Sequence, residues 1–346
     1  MGLNFGTGGM FGHSNDFNQG MGQVRAGQGT VLVSKDGTGD VDTIQEALNL
    51  VGSNGVIYIK EGEYTEDLTI SGDKVALIGS GIASIITGSM VIAGDNVYLD
   101  KLFIKGTSGS GTRLAISGDD FMIVDCKIGG AGEGLTSTGS RTLISNCNFL
   151  DCQGLLGGGF AIELTTGDKS VVNACIFSNS KIIECSQNYC IISNNTMSGG
   201  NEGIEVSGDS AIISNNSMAT VKNFGVLSSG NYNNIEGNII TNVDGWTGGG
   251  SADAHGIKIS GTNSICQGNI IYDVDNLAVN FGYGIWVTGD YNILNNNRIE
   301  TTTDDGILVD ATADRTLIDG NIILNWTNEA IDNNGTNTVT GDNILA

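Results

Sequence analysis

From residue 70 onward the chain repeats one phrase: an apolar residue, Ser/Thr/Ala-Gly-Asp/Asn, alternating apolar positions, Asn, then an apolar residue. It recurs as ISGDKVALIG, IAGDNVYLDKLFI, ISGDDFMIVDCKI, VSGDSAIISNNSM, ISGTNSICQGNII and VTGDYNILNNNRI, and the runs IISNNTM (191–197) and IISNNSM (212–218) are two neighbouring copies. Period-2 alternation rich in Ile and Val, broken by Gly, Asp and Asn and lacking any helical stripe, predicts short strands. Turn glycines fall at Gly72, Gly94, Gly118, Gly139, Gly167, Gly208, Gly230, Gly261, Gly289 and Gly335, with Gln187 and Ala313 filling the two double-length gaps. Their spacing of about 20 to 30 residues is the period of a solenoid, whose repeats bury their cores only against one another. Each repeat has room for three short strands, which predicts coils stacked in parallel over residues 71–346.

Eight residues after each turn position from Gly94 onward stand Leu102, Cys126, Cys147, Cys175, Asn195, Asn216, Asn238, Asn269, Asn297, Asn321 and Asn343. Stacked coils place such equivalents about 4.8 Å apart. An amide there can donate to one neighbour and accept from the next, so a run of buried asparagines satisfies itself where a single one would be costly. Cysteine at the same position acts as a small apolar filler. Three of the seven cysteines are thereby expected in the core.

The stretch VSKDGTGDVDTIQEALNLVGSNGVIYIKEGEYTEDLTI (33–70) predicts a helix over 43–51, with Asp42 as N-cap, Gln45 at the third helical position and Gly52 just past the end. A solenoid needs such a lid over its first coil, so residues 31–70 read as an N-terminal cap. Cap and repeats together resemble the pectin-lyase-like superfamily over residues 31–346. That resemblance implies an all-β fold, a right-handed parallel β-helix of about 12 coils. The cap is similar to that of pectin methylesterases, but the esterase's Arg-Pro-Trp element is impossible in a chain with no proline. Residues 1–30 are Gly-rich and aperiodic, and read as a flexible or attachment arm. The chain stops three residues after Asn343 without a covering helix, which suggests that a neighbouring subunit or a further segment covers the last coil.

Charge narrows the partners. A net charge of −23 argues against nucleic acid and anionic membranes, and no run of 18 apolar residues spans a bilayer. The N-terminus lacks a secretory signal, and an odd seven cysteines without CxxC pairs point to a reducing compartment during folding.

The repeat also fixes a register for chemistry. Eleven residues before the ladder, on the strand preceding each turn, lie Ala115, Thr136, Glu184, Glu205, Leu227, Lys258, Trp286 and Asp332, joined through small insertions by Glu163 and Leu308. Their neighbours are apolar, as in AIEL, IIEC, GIEV, GIKI and GIWV, so these residues are expected to point to solvent. Glu163, Glu184 and Glu205 would then stack on successive coils, although like charges on adjacent strands are destabilising. Three readings of the stripe stand open: a carboxylate set for glycan cleavage, with adjacent and alternate coils near the separations of retaining and inverting glycosidases; a calcium site at Glu184 and Glu205; or a solvated acidic surface. Long insertions at 150–160, 241–256 and 272–284 flank the same face. They add Trp246, Asp253, His255 and Tyr283 as candidate substrate-binding groups, with Lys258, Trp286 and Asp305, since aromatic faces and carboxylates together suit a sugar ring. His255 also reads simply as a turn residue.

These features are expected in a virion appendage, tailspike- or fibre-like, which binds and in some cases cleaves cell-surface polysaccharide. Such a protein would be assembled in the host cytoplasm as a homo-oligomer, contacting other virion or self subunits through residues 1–30 and the last coil. An extracellular polysaccharide lyase or glycoside hydrolase and a purely structural or adhesive β-helix are the alternatives.

Overall fold

The computed structural model describes residues 29–106, 111–130, 132–152, 159–180, 183–200, 202–245, 254–275 and 281–346. Trp246 and Asp253, like the arm before residue 29, lie outside the described residues. The chain winds through three parallel sheets of 14, 13 and 12 strands, visited in rotation from Val56–Ile59 onward. The first sheet opens at Thr30–Val33, the second at Gly62–Thr65 and the third at Leu68–Ile70. Every strand pairs in parallel with its counterpart one coil away, as in Ile191↔Ile212 and Ile192↔Ile213. About 13 coils result, in agreement with the expected dozen; the segment 30–70 supplies strands to all three sheets besides the lid helix.

The recurring phrase now has a physical meaning at each letter. Most turn glycines are required by close approach rather than by a positive φ, Gly167 (φ +87°) excepted: a Cβ on Gly94 would stand 2.1 Å from the Gly72 carbonyl oxygen, and one on Gly230 only 1.9 Å from that of Gly208. The acidic or amide residue that follows forms a stack of its own, with Asp73 Oδ1 accepting from the Asp95 N–H (3.0 Å) and Asp95 Oδ1 from that of Asp119 (2.8 Å). In the doublet of IISNNTM, Asn194 takes a left-handed turn (φ +58°), which asparagine tolerates well, and Asn195 turns inward.

The inward amides form the expected ladder. Asn195 donates to Asn216, Asn216 to Asn238 and Asn238 to Asn269, each at 3.0 Å, and the series runs on through Asn297 and Asn321 to Asn343. Each Oδ1 also accepts the backbone N–H of the rung before it, as at Asn216 N–H to Asn238 (3.0 Å). Cys126, Cys147 and Cys175 occupy the same position in earlier coils, and all seven cysteines are buried free thiols. Around them pack Ile, Val and Leu from the three inner faces, with Phe149 and Phe177 stacked at 4.9 Å.

The lid helix spans Ile44–Val51 and buries Ile44, Ala47, Leu48 and Val51. Its N-cap is Thr43 rather than Asp42, with the hydroxyl accepting from the Glu46 N–H at 3.3 Å. Gln45 accordingly sits at the second helical position. The first two helical N–H groups, of Ile44 and Gln45, are taken by the carboxylate of Glu66, each at 3.0 Å. That carboxylate at the positive end of the helix comes from 21 and 22 residues further along the chain. No helix among the described residues is long and apolar enough to cross a membrane.

Candidate functional site

On the third sheet the outward residues fall into the expected column. Thr136 pairs with Glu163, Glu163 with Glu184, and Glu184 with Glu205. Leu227, Lys258, Trp286, Leu308 and Asp332 continue it coil by coil. A second column runs beside it, with Phe224 paired to His255 and His255 to Tyr283. The same register sets Glu202 one coil before Phe224 and Asp305 one coil after Tyr283. Glycines 203, 225, 256, 284 and 306 hold the two columns close: a Cβ on Gly203 would lie 2.0 Å from the Gly225 carbonyl, and one on Gly284 2.4 Å from that of Gly306.

The glutamates are half-buried rather than freely solvated. Alternation fixes the side on which a residue points, but the depth of the groove comes from the walls around it. Burial raises the Glu163 carboxyl above the ordinary range, and the neighbouring Glu184 and then Glu133 push in the same direction. With seven coil steps at about 4.8 Å each, the column from Glu163 to Asp332 extends roughly 34 Å.

Further along the face lies an aromatic cluster. The His255 ring is nearly parallel to Tyr283 (6.3 Å, 15°) and meets Trp286 edge-on (5.0 Å, 63°). Phe281 lies nearly parallel to Tyr283 at 6.2 Å. The Lys258 ammonium sits 3.5 Å from the Trp286 ring centroid, a cation–π contact. His255 is not a turn residue: it lies in the strand Ala254–Ile259 and is 8 % exposed. Burial first, then Lys258, hold its imidazole down to about 3, so it is neutral at physiological pH. Its Nδ1 and the indole Nε1 of Trp286 are buried without hydrogen-bond partners.

Beyond the aromatics opens a cleft of about 890 Å³. Its lining mixes apolar Phe281, Tyr283 and Leu308 with acidic Asp304, Asp305, Asp310 and Asp332. Asp305, 2 % exposed, accepts from Asn328 Nδ2 (2.9 Å) and from the Glu329 N–H (3.0 Å). Burial, then Asp304, nonetheless push its carboxyl up to about 6.

The structure thus brings Glu163, Glu184 and Glu205 into one stack, and His255, Lys258, Tyr283 and Trp286 into one cluster, with Asp305 in the adjoining cleft. Phe281, Asp304, Asp310 and Asn328 were not picked out from sequence. Phe281 and Asp304 stand next to residues that were, in NFGYG and TTDDG, and proximity to Tyr283 and Asp305 was the available signal. For calcium at Glu184 and Glu205, two carboxylates offer at most about four of the six to eight oxygens the ion takes. No group of three His, Cys, Asp or Glu among the described residues is arranged to hold a metal.

A pectinesterase family model matches residues 30–156, and a right-handed β-helix region model matches residues 182–344. Pectinesterase 2 of Citrus sinensis is 33% identical over 115 residues, which cover 27% of this chain and 22% of that protein. Probable pectinesterase/pectinesterase inhibitor 17 of Arabidopsis thaliana is 37% identical over 94 residues, covering 26% and 16%. The chain thus spans less than a quarter of the length of either relative, and the esterase match ends before Glu163. Among solved structures, the catalytic domain of an alpha-1,3-glucanase in complex with tetrasaccharides superposes with a TM-score of 0.62 at 14% identity, covering 91% of this chain and 68% of that one. An alginate lyase complexed with a trisaccharide gives 0.55 at 13% identity, covering 93% and 86%. The tailspike protein of E. coli bacteriophage HK620, in complex with a hexasaccharide, gives 0.54 at 9% identity, covering 83% and 68%. At these identities the likeness is one of fold. Three rotating parallel sheets under a pectinesterase-like cap make this chain a right-handed parallel β-helix of the pectin-lyase-like superfamily.

Proposed function

We propose that this β-helix acts on polysaccharide, laying an extended glycan along the outward face of the third sheet and cleaving it at the glutamate stack. The observation that carries this reading is the unbroken column from Glu163 to Asp332, in which stacked carboxylates lead into aromatic rings and then an acidic cleft. A face roughly 34 Å long suits a chain of several sugars rather than a single ring. Glu163, whose carboxyl is raised by burial and then by Glu184, serves as the acid that protonates the leaving oxygen. Glu184, one coil away at about 4.8 Å of backbone spacing, is placed to attack the anomeric carbon, which gives retention. Glu205, two coils from Glu163 and about 10 Å away along the backbone, is placed instead to activate water, which gives inversion.

The pectinesterase likeness supports a second reading, hydrolysis of a sugar ester, although it covers the cap and first coils rather than the stack. The finer part of the proposal is a tailspike-like virion protein that forms homo-oligomers. Its support is the tailspikes that share this fold, with TM-scores of 0.55 and 0.54. Light scattering that finds only a monomer at micromolar concentration would remove the oligomeric part.

Glycan-array binding, reducing-sugar release and ester release, run on the wild type and on Glu163→Gln, Glu184→Gln and Glu205→Gln, test the reading. Cleavage is expected to fall at least ~100-fold in Glu163→Gln with binding retained. Loss in Glu184→Gln marks the retaining route, and loss in Glu205→Gln the inverting one. Ester release without new reducing ends supports the second reading. A wild type that neither binds nor cleaves any glycan overturns the proposal.

A further inference from the structure

We infer that the glycan taken by this face is uncharged, a neutral hexose or N-acylhexosamine polymer and not a polyuronate. The inference rests on the polysaccharide reading above and adds the chemical class of the ligand. Glu163, Glu184, Glu205 and Asp332 share one column, and Glu202 and Asp305 stand in the next. Among the described residues of these columns from Glu163 onward, the cation is Lys258, whose ammonium lies against the Trp286 ring. A polyuronate following the coils would bring a carboxylate toward every few ångströms of this acidic row. In a half-buried groove such like charges are poorly screened, and their juxtaposition selects against the partner.

A polycation is disfavoured at the other end of the face. Lys258 already covers one side of Trp286, so a second ammonium approaching the cluster meets a like charge. What remains is chemistry that the face satisfies without charge. Phe281, 46 % exposed, and Tyr283 lie 14° from parallel and offer apolar surface to the C–H face of a pyranose. Asp304 and Asp310 line the same cleft and are placed to accept from hydroxyls. Aromatic faces beside acceptor oxygens recognise a neutral sugar by stacking and hydrogen bonding alone.

Binding of the full chain to three polymer classes tests this: an uncharged glucan and N-acylhexosamine panel, a polyuronate such as pectate or alginate, and a deacetylated amino glycan. Each is measured in EDTA and again in millimolar calcium. The expected result is selective binding of an uncharged polymer, with polyuronates at least ~tenfold weaker in 0.1 M salt, a difference of about 1.4 kcal/mol. That gap should narrow in 1 M salt, where the Debye length falls from about 10 to about 3 Å. A charge-reversing Glu205→Lys variant should narrow it as well, and the salt series on the wild type stands if that variant fails to fold. Polyuronate binding as tight as neutral binding, whether free of metal or only with calcium, overturns the inference while leaving the polysaccharide reading intact. Preference for the amino glycan does the same. Failure to bind or cleave any class removes the polysaccharide reading itself.

Discussion

The side chain of a single ladder asparagine is held by four hydrogen bonds to three residues. Asn238 donates to the Ile213 carbonyl (2.9 Å) and to Asn269 (3.0 Å), while its oxygen accepts from the backbone and side chain of Asn216 (both 3.0 Å). Removing such a group costs the bonds and also leaves buried partners unmet, and the second effect dominates. Asn238→Ala is therefore expected to lose about 3 to 5 kcal/mol, read as a lower urea midpoint. Asn343→Ala, at the half-exposed final rung, should lose about 1 kcal/mol. This position was legible in sequence because the count from turn glycine to ladder never changes. The N-cap was not. Asp42 and Thr43 are both good caps, and what decides between them is Glu66, which occupies the two N–H groups ahead of the one Thr43 accepts. No local pattern carries a contact between residues more than 20 positions apart.

Within the third sheet, side and order were legible but depth was not. Alternation put Glu163, Glu184 and Glu205 on one face, whereas their half-burial and that of the cleft depend on walls contributed by other coils. Asp305 shows the consequence. Its folded carboxyl titrates at about 6 against an ordinary 3.8, so the folded state holds the proton more tightly than the unfolded chain. Its contribution is most favourable below the ordinary carboxylate range and is lost as pH rises through about 6. His255 works in the opposite sense, losing stability as pH falls from about 6.5 toward about 3, so the measurement must be a difference. Thermal midpoints of wild type and Asp305→Asn at fixed ionic strength should diverge between about pH 4 and 6.5. The wild type is expected to drop on the alkaline side, and the variant to lose much of that drop.

Taken whole, the molecule is a stack whose architecture the spacing announced and whose site it only located. All seven thiols are buried, and desolvation lifts Cys126 and Cys266 to about 12, so neither is a ready thiolate. The native protein should leave a thiol reagent such as Ellman's unreacted, with seven equivalents released only in urea; rapid reaction in buffer would show that the coils open. One last property follows from where the rungs fall. Successive ladder asparagines are separated by 21, 22, 31, 28, 24 and 22 residues, yet the segment from turn to rung keeps one length. The surplus in the two longest of these coils falls between Asp244 and Ala254 and between Asp275 and Gly282, in each case between a strand of the second sheet and the next strand of the third. Insertion and deletion there leave glycine column, amide column and strand register untouched. Inheritance can thus lengthen or shorten the chain in one corner of a coil while the frame that carries it stays fixed, so new sequence can be added without a new fold.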